Sequence, residues 1–392
     1  MGNLTKHYGL AHILAITIAM VSLFVFTPCL QAYPKGSPHA FVGGPWEIAV
    51  SVGSPVQEFI FPVKVPDENK SSKLEKRLPI MGTPVKIRFD RYVPALSWET
   101  IVTEKPGSGA VASIVFKGPN LHQQMWLDTN ESKKQSVTSS IGGIALKKIQ
   151  NSYTIEKLSA ALTSGSTPGV LLVWKEDAKK PLEYIVDTSK TIAIPGTNFK
   201  IKAAEYIPHY SIDTTSKEVT SASDKPLNPA LKVSVSNDEK TVEQWLWSKF
   251  PTSPHVKYEL PLRIEFQDFD LNDMDGSHII AVAKGQPPYL FSSIDGKVQA
   301  QKIKSEDTYF LADKEYSFIV EKTYANAVTE RKWKNIAQKL SNPAIIATIE
   351  YSGQESQAVL EFNKPFHFSS GNNAMIVVYR RKAEAPIAEK QK

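Results

Sequence analysis

The feature that most constrains the fold of this chain is a segment that occurs twice in nearly the same form. Residues 81–96 read MGTPVKIRFDRYVPAL, and residues 195–210 read PGTNFKIKAAEYIPHY, so Gly-Thr, Lys-Ile and Tyr-x-Pro recur at one ungapped offset of 114 residues. Apolar and polar side chains alternate in both copies, which predicts a half-buried β-strand. Gly-Thr predicts a turn before the strand, and the proline ends the strand because proline cannot donate to a ladder.

A third and weaker copy, KEYSFIVEKTYANA, occupies residues 314–327, with Tyr324 in the place of Tyr206. The flanks of the three copies are also alike. A strand, a turn and a second strand precede the copies at 46–61, 170–186 and 279–293. Two alternating segments around a polar turn, the pattern of a β-hairpin, follow them at 108–127, 228–247 and 342–362.

This repetition predicts a mainly β protein of three tandem, related lobes of about 115 residues, each resembling a β-sandwich or open barrel. The predicted lobes are residues 33–150, 151–270 and 271–380. Few short helices are expected: one connecting helix within 151–165, and a helical insertion within 329–343 that Pro343 ends. Residues 381–392 predict a disordered tail.

The first 32 residues have the three-part layout of a secretory signal peptide. One lysine stands before an apolar run at residues 10–26, and the small residue Ala32 predicts cleavage before Tyr33. The alternative is an uncleaved anchor helix, for which the run is slightly short. The expected location is therefore periplasmic or extracytoplasmic, with membrane contact only through residues 10–26 if cleavage does not occur.

The single cysteine, Cys29, lies inside this segment. The mature chain would therefore contain no disulfide, thiolate metal site or cysteine nucleophile. The formal net charge is +6, from 46 Lys and Arg against 40 Asp and Glu, and no basic block is long enough to predict a nucleic-acid partner.

Catalytic motifs do not emerge from the sequence. It contains no GxSxG, P-loop, dinucleotide fingerprint or HExxH pattern. The eight histidines are too scattered for their spacing to indicate a metal site. We therefore expect a protein that is not an enzyme and that needs no cofactor other than a candidate calcium ion.

The calcium candidate is the acidic run QDFDLNDMDGSH at residues 267–278. Its four carboxylates are hard oxygen ligands, and Gly276 allows a sharp turn. The predicted ligands are Asp268, Asp270, Asp273 and Asp275. Their spacing does not follow the EF-hand pattern, so the alternative is an acidic, solvated loop between two lobes.

Recurring aromatic residues are interpreted as scaffold. Trp126 and Trp245 fall at matching places in the repeat, which predicts a shared core position. Tyr92, Tyr206 and Tyr324 are expected to pack at strand ends with the hydroxyl bonded to backbone.

Two segments resemble the extracytoplasmic, β-rich region of ResB-like cytochrome c biogenesis proteins. They are GQPPYLFSS at 285–293 and residues 228–251, which begin NPALKVSV and end WLWSKFP. In that family the outer region belongs to a membrane complex that holds reduced apocytochrome and passes haem to it. This chain has one apolar segment where the family has several membrane helices, and the family's haem-binding membrane histidines have no counterpart. The resemblance implies a place in such a complex and assigns no functional residue.

Two functions are favoured at this point, ahead of a third, an enzyme of unrecognised type. The first is an exported, non-enzymatic scaffold or assembly partner for an envelope protein or membrane complex, in cytochrome c biogenesis or in a cytochrome-containing complex. The second is an extracytoplasmic protein that binds a glycan or a hydrophobic cofactor in clefts between lobes. Unprotected sheet edges or a large apolar patch would favour the first, because such edges recruit partners.

Overall fold

The computed structural model of the chain describes residues 46–52, 56–80, 83–251, 261–370 and 373–381. The predicted signal peptide or anchor and residues 382–392 of the predicted tail lie outside the described residues. The fold is mainly β, as predicted: the described residues form 28 strands, one α-helix and a single 3-10 turn at Ser132–Lys134. Within these ranges no helix has the length and apolar character needed to span a membrane.

Sandwich 1 is built from the two ends of the described chain. Its strands are β1 (Trp46–Val52), β2 (Gln57–Val63), β3 (Ser72–Pro79), β4 (Val85–Val93), β25 (Ala344–Tyr351), β26 (Gln354–Glu361), β27 (Pro365–Ser370) and β28 (Asn373–Arg381). They form two sheets, ordered β2-β1-β28-β27 and β3-β4-β25-β26. Alternate residues of β4, such as Ile87, face alternate residues of β1, such as Ile48, in one apolar core. This core follows directly from the period of two in the sequence.

Sandwich 2 combines strands from before and after the middle of the chain. Its strands are β6 (Val111–Gly118), β7 (Leu121–Asp128), β8 (Ser136–Ser139), β9 (Gly142–Ile149), β19 (His278–Ala283), β20 (Tyr289–Ile294), β21 (Lys297–Lys302), β22 (Thr308–Phe310) and β23 (Ser317–Tyr324). The sheets are ordered β21-β20-β19-β9-β8 and β22-β23-β6-β7. Ile114, Leu146 and Phe318 lie in the core between them.

Sandwich 3 is continuous in sequence. Its strands are β10 (Gly169–Lys175), β11 (Leu182–Ile185), β12 (Thr191–Ala193), β13 (Lys200–Ile207), β16 (Ala230–Ser236), β17 (Thr241–Trp247) and β18 (Leu262–Asp268). The sheets are ordered β11-β10-β18 and β12-β13-β16-β17 around Val173, Ile201 and Val233. Helix α1 (Ser152–Thr163) begins after Asn151, whose side chain accepts from the Tyr153 amide.

Two β-ribbons complete the fold. One pairs β5 (Leu96–Glu104) with β24 (Ala327–Asn335), and the other pairs β14 (Tyr210–Ile212) with β15 (Val219–Ser221). The chain divides into two compact units, residues 1–99 with 333–392 and residues 100–332, and the division falls within the first ribbon. Sandwich 1 belongs to the first unit, and sandwiches 2 and 3 belong to the second.

The repeated segment has the same structure in all three sandwiches. The strand pairs β4–β25, β13–β16 and β23–β6 each contain a β-bulge after their apolar alternation. Asn342 and Asn228 also have the same role: each exchanges hydrogen bonds with the residue two positions after the Tyr-x-Pro proline and forms an isolated bridge with the residue one position after it. In sandwiches 1 and 3 the Tyr-x-Pro and Asn-Pro motifs therefore mark where a ribbon leaves the second sheet of the sandwich.

The predicted division into three consecutive lobes is not observed. Strand β4, in the first sequence copy, pairs with β25 of the third, and β23 of the third pairs with β6 of the first. Local strand patterns fix the elements but not the partner, since equivalent strands present the same alternation. Strands of the first and third sequence segments therefore pair with each other, whereas β13 and β16 of the second segment pair with each other.

One predicted helix is confirmed and the other is wrong. Helix α1 lies within the predicted range 151–165. Residues 327–335, by contrast, form strand β24, although 329–343 was expected to contain a helix. Pairing with β5 and the docking of Trp333 on an apolar cluster override the weak helical pattern of this charged segment.

The tryptophan prediction is also wrong. Trp126 and Trp245 do hold equivalent positions, because their partners Ser113 and Lys232 both adjoin the bulge. However, both side chains are half-buried on the outer face of their sheet, since the inward positions belong to their neighbours Leu127 and Leu246.

Candidate functional site

The acidic run divides into a buried part and an exposed part. Asp268 ends β18, and Asp270 follows two residues later; both side chains are buried. Asp273 and Asp275 are exposed, and Asp275 accepts a hydrogen bond from the Gly296 amide at 3.0 Å. The four carboxylates therefore do not converge on one point.

The structure does not assemble the predicted calcium site. Among the described residues, no group of three or more His, Cys, Asp or Glu side chains is placed to hold a metal ion. The alternative, a solvated acidic loop, also fails for the buried half of the run. Gly276 keeps a structural role: its φ is +74°, and a Cβ there would overlap the Ala312 amide nitrogen and the Ile141 carbonyl oxygen.

Asp268 and Asp270 share one hydroxyl group. Tyr206, on β13, places its oxygen 3.3 Å from Asp268 Oδ1 and 3.0 Å from Asp270 Oδ2. The Ser248 hydroxyl lies 3.1 Å from the Asp268 amide and accepts from it. Burial raises the pKa of both carboxyl groups, and it raises the pKa of Tyr206 far above its ordinary value.

Lys147, on β9 of sandwich 2, is the cation of this cluster. Its Nζ lies 4.7 Å from the centre of the Phe269 ring. Burial lowers the pKa of Lys147, and the charge of Asp268 partly opposes that effect. Burial is the larger influence on Asp268 too, and Lys147 opposes it there. The cluster connects β13 and β18 of sandwich 3 to β9 of sandwich 2, which is a structural arrangement of buried, mutually compensating groups.

The repeated tyrosines differ in their hydroxyl partners. Tyr92 donates to the Glu68 carbonyl oxygen at 2.8 Å, as predicted for a scaffold residue. Tyr206 contacts carboxylates instead. In sandwich 2 the bulge register places Thr323, rather than Tyr324, at the equivalent position. The expected series of three equivalent tyrosines is therefore correct for two of them.

Sequence reasoning missed a second polar arrangement. His278 on β19 is buried; its Nε2 lies 2.9 Å from the Phe310 carbonyl oxygen, and its Nδ1 lies 2.8 Å from the Ser292 hydroxyl. Because a carbonyl only accepts, Nε2 carries the proton and Nδ1 accepts from Ser292. Burial lowers the pKa of His278 to about 4, so the ring is neutral at pH 7. These residues stand 14 apart, and only strand pairing brings them together.

This pair lines a cleft of about 370 Å³ in sandwich 2. Thr308, Gln301 and Lys314 add polar groups to its walls, and Tyr309 and Phe310 add apolar area. Its size lies at the lower end of the range for small-molecule pockets.

Three edge strands form the remaining candidate, an interface for another chain. In each sandwich the second sheet is the one that contains the β-bulge, and β7, β17 and β26 are edge strands of these three sheets. Each has seven or eight residues. None of the three contains Lys, Arg or Pro. In the six sheets of the three sandwiches, every other edge strand either has four residues or fewer or contains one of these residue types, whereas the nine-residue ribbon strand β5 also lacks all three. Charged residues, prolines and short length are common protections against edge-to-edge pairing, and of the three strands β17 and β26 carry an exposed glutamate, Glu243 and Glu355.

Comparison of this chain with protein-family models, curated proteins and solved structures found no match. The resemblance to ResB-like proteins therefore stays a prediction.

Proposed function

We propose that this chain is an exported, non-enzymatic β-repeat protein that acts as a scaffold or assembly partner in the cell envelope. One observation carries the proposal: β7, β17 and β26 are edge strands of seven or eight residues that contain no Lys, Arg or Pro. Unpaired strand edges offer rows of backbone donors and acceptors to another chain. Export is inferred from the signal-like segment at residues 1–32.

The fold proposal that accompanies this function is a common origin of the three sandwiches. The shared bulge, the shared strand order of the second sheets and the shared ribbon position support three copies of one unit. A partner of the proposed scaffold could then meet similar edges three times. The ResB-like resemblance favours a cytochrome assembly complex as that partner.

A native pull-down tests the scaffold function. The tagged mature protein is recovered from envelope extract under native conditions, and bound proteins are identified and quantified by mass spectrometry. We expect stoichiometric recovery of a membrane or cytochrome complex. Recovery of the tagged protein alone, at concentrations where its fold is intact, would reject the proposal.

The alternative function, extracytoplasmic ligand binding, has one feature in its favour. The cleft beside His278 and Ser292 combines polar and aromatic walls. It lies within sandwich 2, not between lobes as the sequence suggested. Thermal-shift screening of the mature protein with soluble glycans and with hydrophobic cofactors tests this function, and a rise in midpoint that His278→Asn abolishes would support it.

A further inference from the structure

Lys148 and Asn326 bring an amine against a side-chain amide where the two halves of sandwich 2 meet. Lys148 lies near the end of β9, the last strand of the first half, and Asn326 follows β23, the last strand of the second half. Lys148 Nζ lies 2.8 Å from Asn326 Oδ1, although the two residues are 178 apart in sequence. Because a carbonyl bond is about 1.23 Å long, Nζ lies within about 4.0 Å of the amide carbon Cγ.

One short segment, residues 105–109, holds both groups in place. The Ser108 carbonyl oxygen accepts a second hydrogen bond from Lys148 Nζ, at 2.5 Å. The Lys105 amide donates to the backbone carbonyl oxygen of Asn326 at 3.0 Å. The amine and the amide are therefore fixed against each other by a common backbone support, and both side chains are half-buried.

The surroundings of Lys148 favour its neutral amine. Burial lowers the pKa of Lys148, the charge of Lys180 lowers it further, and Glu183 opposes both effects. A neutral lysine amine is a nucleophile, whereas the ammonium ion is not. Lys86 and Lys334 provide a contrast, since their ammonium groups lie 2.9 and 3.0 Å from glutamate oxygens on the surface, where the charged pair is favoured.

We propose that Lys148 and Asn326 are the site of an intramolecular amide cross-link. Nζ of Lys148 attacks Cγ of Asn326 and forms a C–N bond. The bond from Cγ to Nδ2 breaks, and Nδ2 leaves as ammonia with the proton that Nζ loses. The exchange needs no oxidant, reductant or further reactant. Well-oriented intramolecular reactions reach effective molarities of roughly 10⁵–10⁸ M, which is what the fixed positions of the two groups provide.

The cross-link goes beyond the proposed scaffold function and does not depend on it. It fastens together the two halves of a sandwich that is discontinuous in sequence, and it encloses helix α1 and sandwich 3 in the loop between them. The single cysteine, Cys29, lies in the signal-like segment, so a disulfide cannot do this in the mature chain. A bond across so long a loop stabilises a fold by restricting the unfolded chain.

Intact mass spectrometry of the denatured mature protein tests the assignment, once its N-terminal residue has been determined. We expect a mass below that of the sequence by one ammonia. After digestion with trypsin we expect a branched peptide that joins the segments around Lys148 and Asn326, and its fragmentation locates the bond. A wild-type protein that has the full mass of its sequence would overturn the proposal.

Lys148→Arg is the matched variant, because a guanidinium keeps the positive charge and the N–H donors but does not form this amide. It is expected to have the full sequence mass and no branched peptide. Asn326→Ala should behave in the same way and serves as a second variant if Lys148→Arg does not fold. The control is Lys157→Arg, at an exposed position of α1, which should retain the loss of ammonia.

The variants also exclude another source of the mass loss. An asparagine that closes to a succinimide loses ammonia as well, but it does so without Lys148. A loss of ammonia that persists in folded Lys148→Arg would therefore reject the cross-link. Circular dichroism of each variant establishes that it is folded.

Discussion

His278 is a single side chain that makes stability depend on pH. Burial lowers its pKa in the folded protein to about 4 from an ordinary value of 6.5, so the folded state binds its proton less tightly than the unfolded state. Stability from this group is complete above pH 6.5 and is lost as the pH falls through 6.5 toward 4. The full loss is about 3 kcal/mol, because a difference of one in pKa corresponds to about 1.36 kcal/mol.

We expect His278→Asn to flatten this part of the pH profile while retaining an acceptor for Ser292. The measurement is the free energy of unfolding by urea between pH 4 and 7. Exposed His122→Asn is the control and should follow the wild-type profile. A wild-type profile that stays level between pH 6.5 and 4 would contradict the prediction.

Tyr206 and Tyr92 provide a second comparison at the scale of residues. Removing either hydroxyl with Phe is expected to destabilise the fold by about 1–3 kcal/mol, because a buried acceptor loses its donor. Only the effect of Tyr206→Phe should depend on pH, since its partners are carboxyl groups and that of Tyr92 is a backbone carbonyl.

The sign for Tyr206 follows from Asp268. Burial raises the pKa of Asp268 in the folded protein. The stability that Asp268 contributes is therefore fully present below its unfolded pKa, 3.8, and is lost as the pH rises through its folded pKa. The Tyr206 hydroxyl stabilises the anion, so removing it raises that pKa further. Tyr206→Phe should therefore cost more at pH 8 than at pH 5. Urea unfolding at the two pH values measures this, and equal costs would indicate that Asp268 does not titrate with the network.

At the scale of elements, Gly276 holds two segments in close contact. Both Gly276 and Gly285 have positive φ, +74° and +76°, but a Cβ at Gly285 would meet no atom within 4 Å. Gly285→Ala is expected to cost about 1–2 kcal/mol for the left-handed backbone alone. Gly276→Ala adds overlap with backbone atoms and should cost at least about 2 kcal/mol more, in the range of overpacking. The midpoint of thermal unfolding is measured for both variants. Equal decreases in the midpoint would show that the backbone around Gly276 moves to accept a Cβ at little cost.

The ribbons show how an element acquires its role from its surroundings. Residues 329–335 contain Glu, Arg and Lys in a weakly helical pattern, yet they form β24 because β5 pairs with them and Trp333 docks against an apolar cluster. Ribbon β14–β15 turns back within a few residues, whereas β5–β24 is interrupted by most of the chain. The alternation of apolar and polar residues can predict such strands. It cannot show whether two paired strands are joined by a short turn or by a long stretch of the chain.

At the scale of the whole molecule, the two compact units predict independent folding. Residues 100–332 form one continuous unit, so a fragment of these residues should fold alone. The first unit should also fold when Glu99 is joined to Trp333 through an Asn-Gly turn, because the Lys334–Glu99 ion pair at 3.0 Å shows that the strand ends are adjacent. Cooperative unfolding of each fragment by circular dichroism checks this. Fragments that show no cooperative transition would mean that neither unit is a folding domain.

The sequence also could not predict which residues of the candidate site lie close together. The acidic run was recognisable, but its two halves separate because Asp268 ends a buried strand while Asp275 lies beside a hairpin turn. Lys147, Tyr206 and Asp268 come from three strands of two sandwiches. His278 and Ser292 meet only through the register of β19 and β20.

The sequence alone determined the mainly β character of the chain, helix α1 and the recurrence of one segment at an offset of 114 residues, because alternation and turn chemistry are properties of neighbouring residues. It also determined that β7, β17 and β26 contain no Lys, Arg or Pro, whereas the tertiary structure placed these strands at sheet edges. The tertiary structure decided which segment supplies each partner strand. Equivalent strands present interchangeable alternation, so the choice among partners depends on long-range packing that no local pattern encodes.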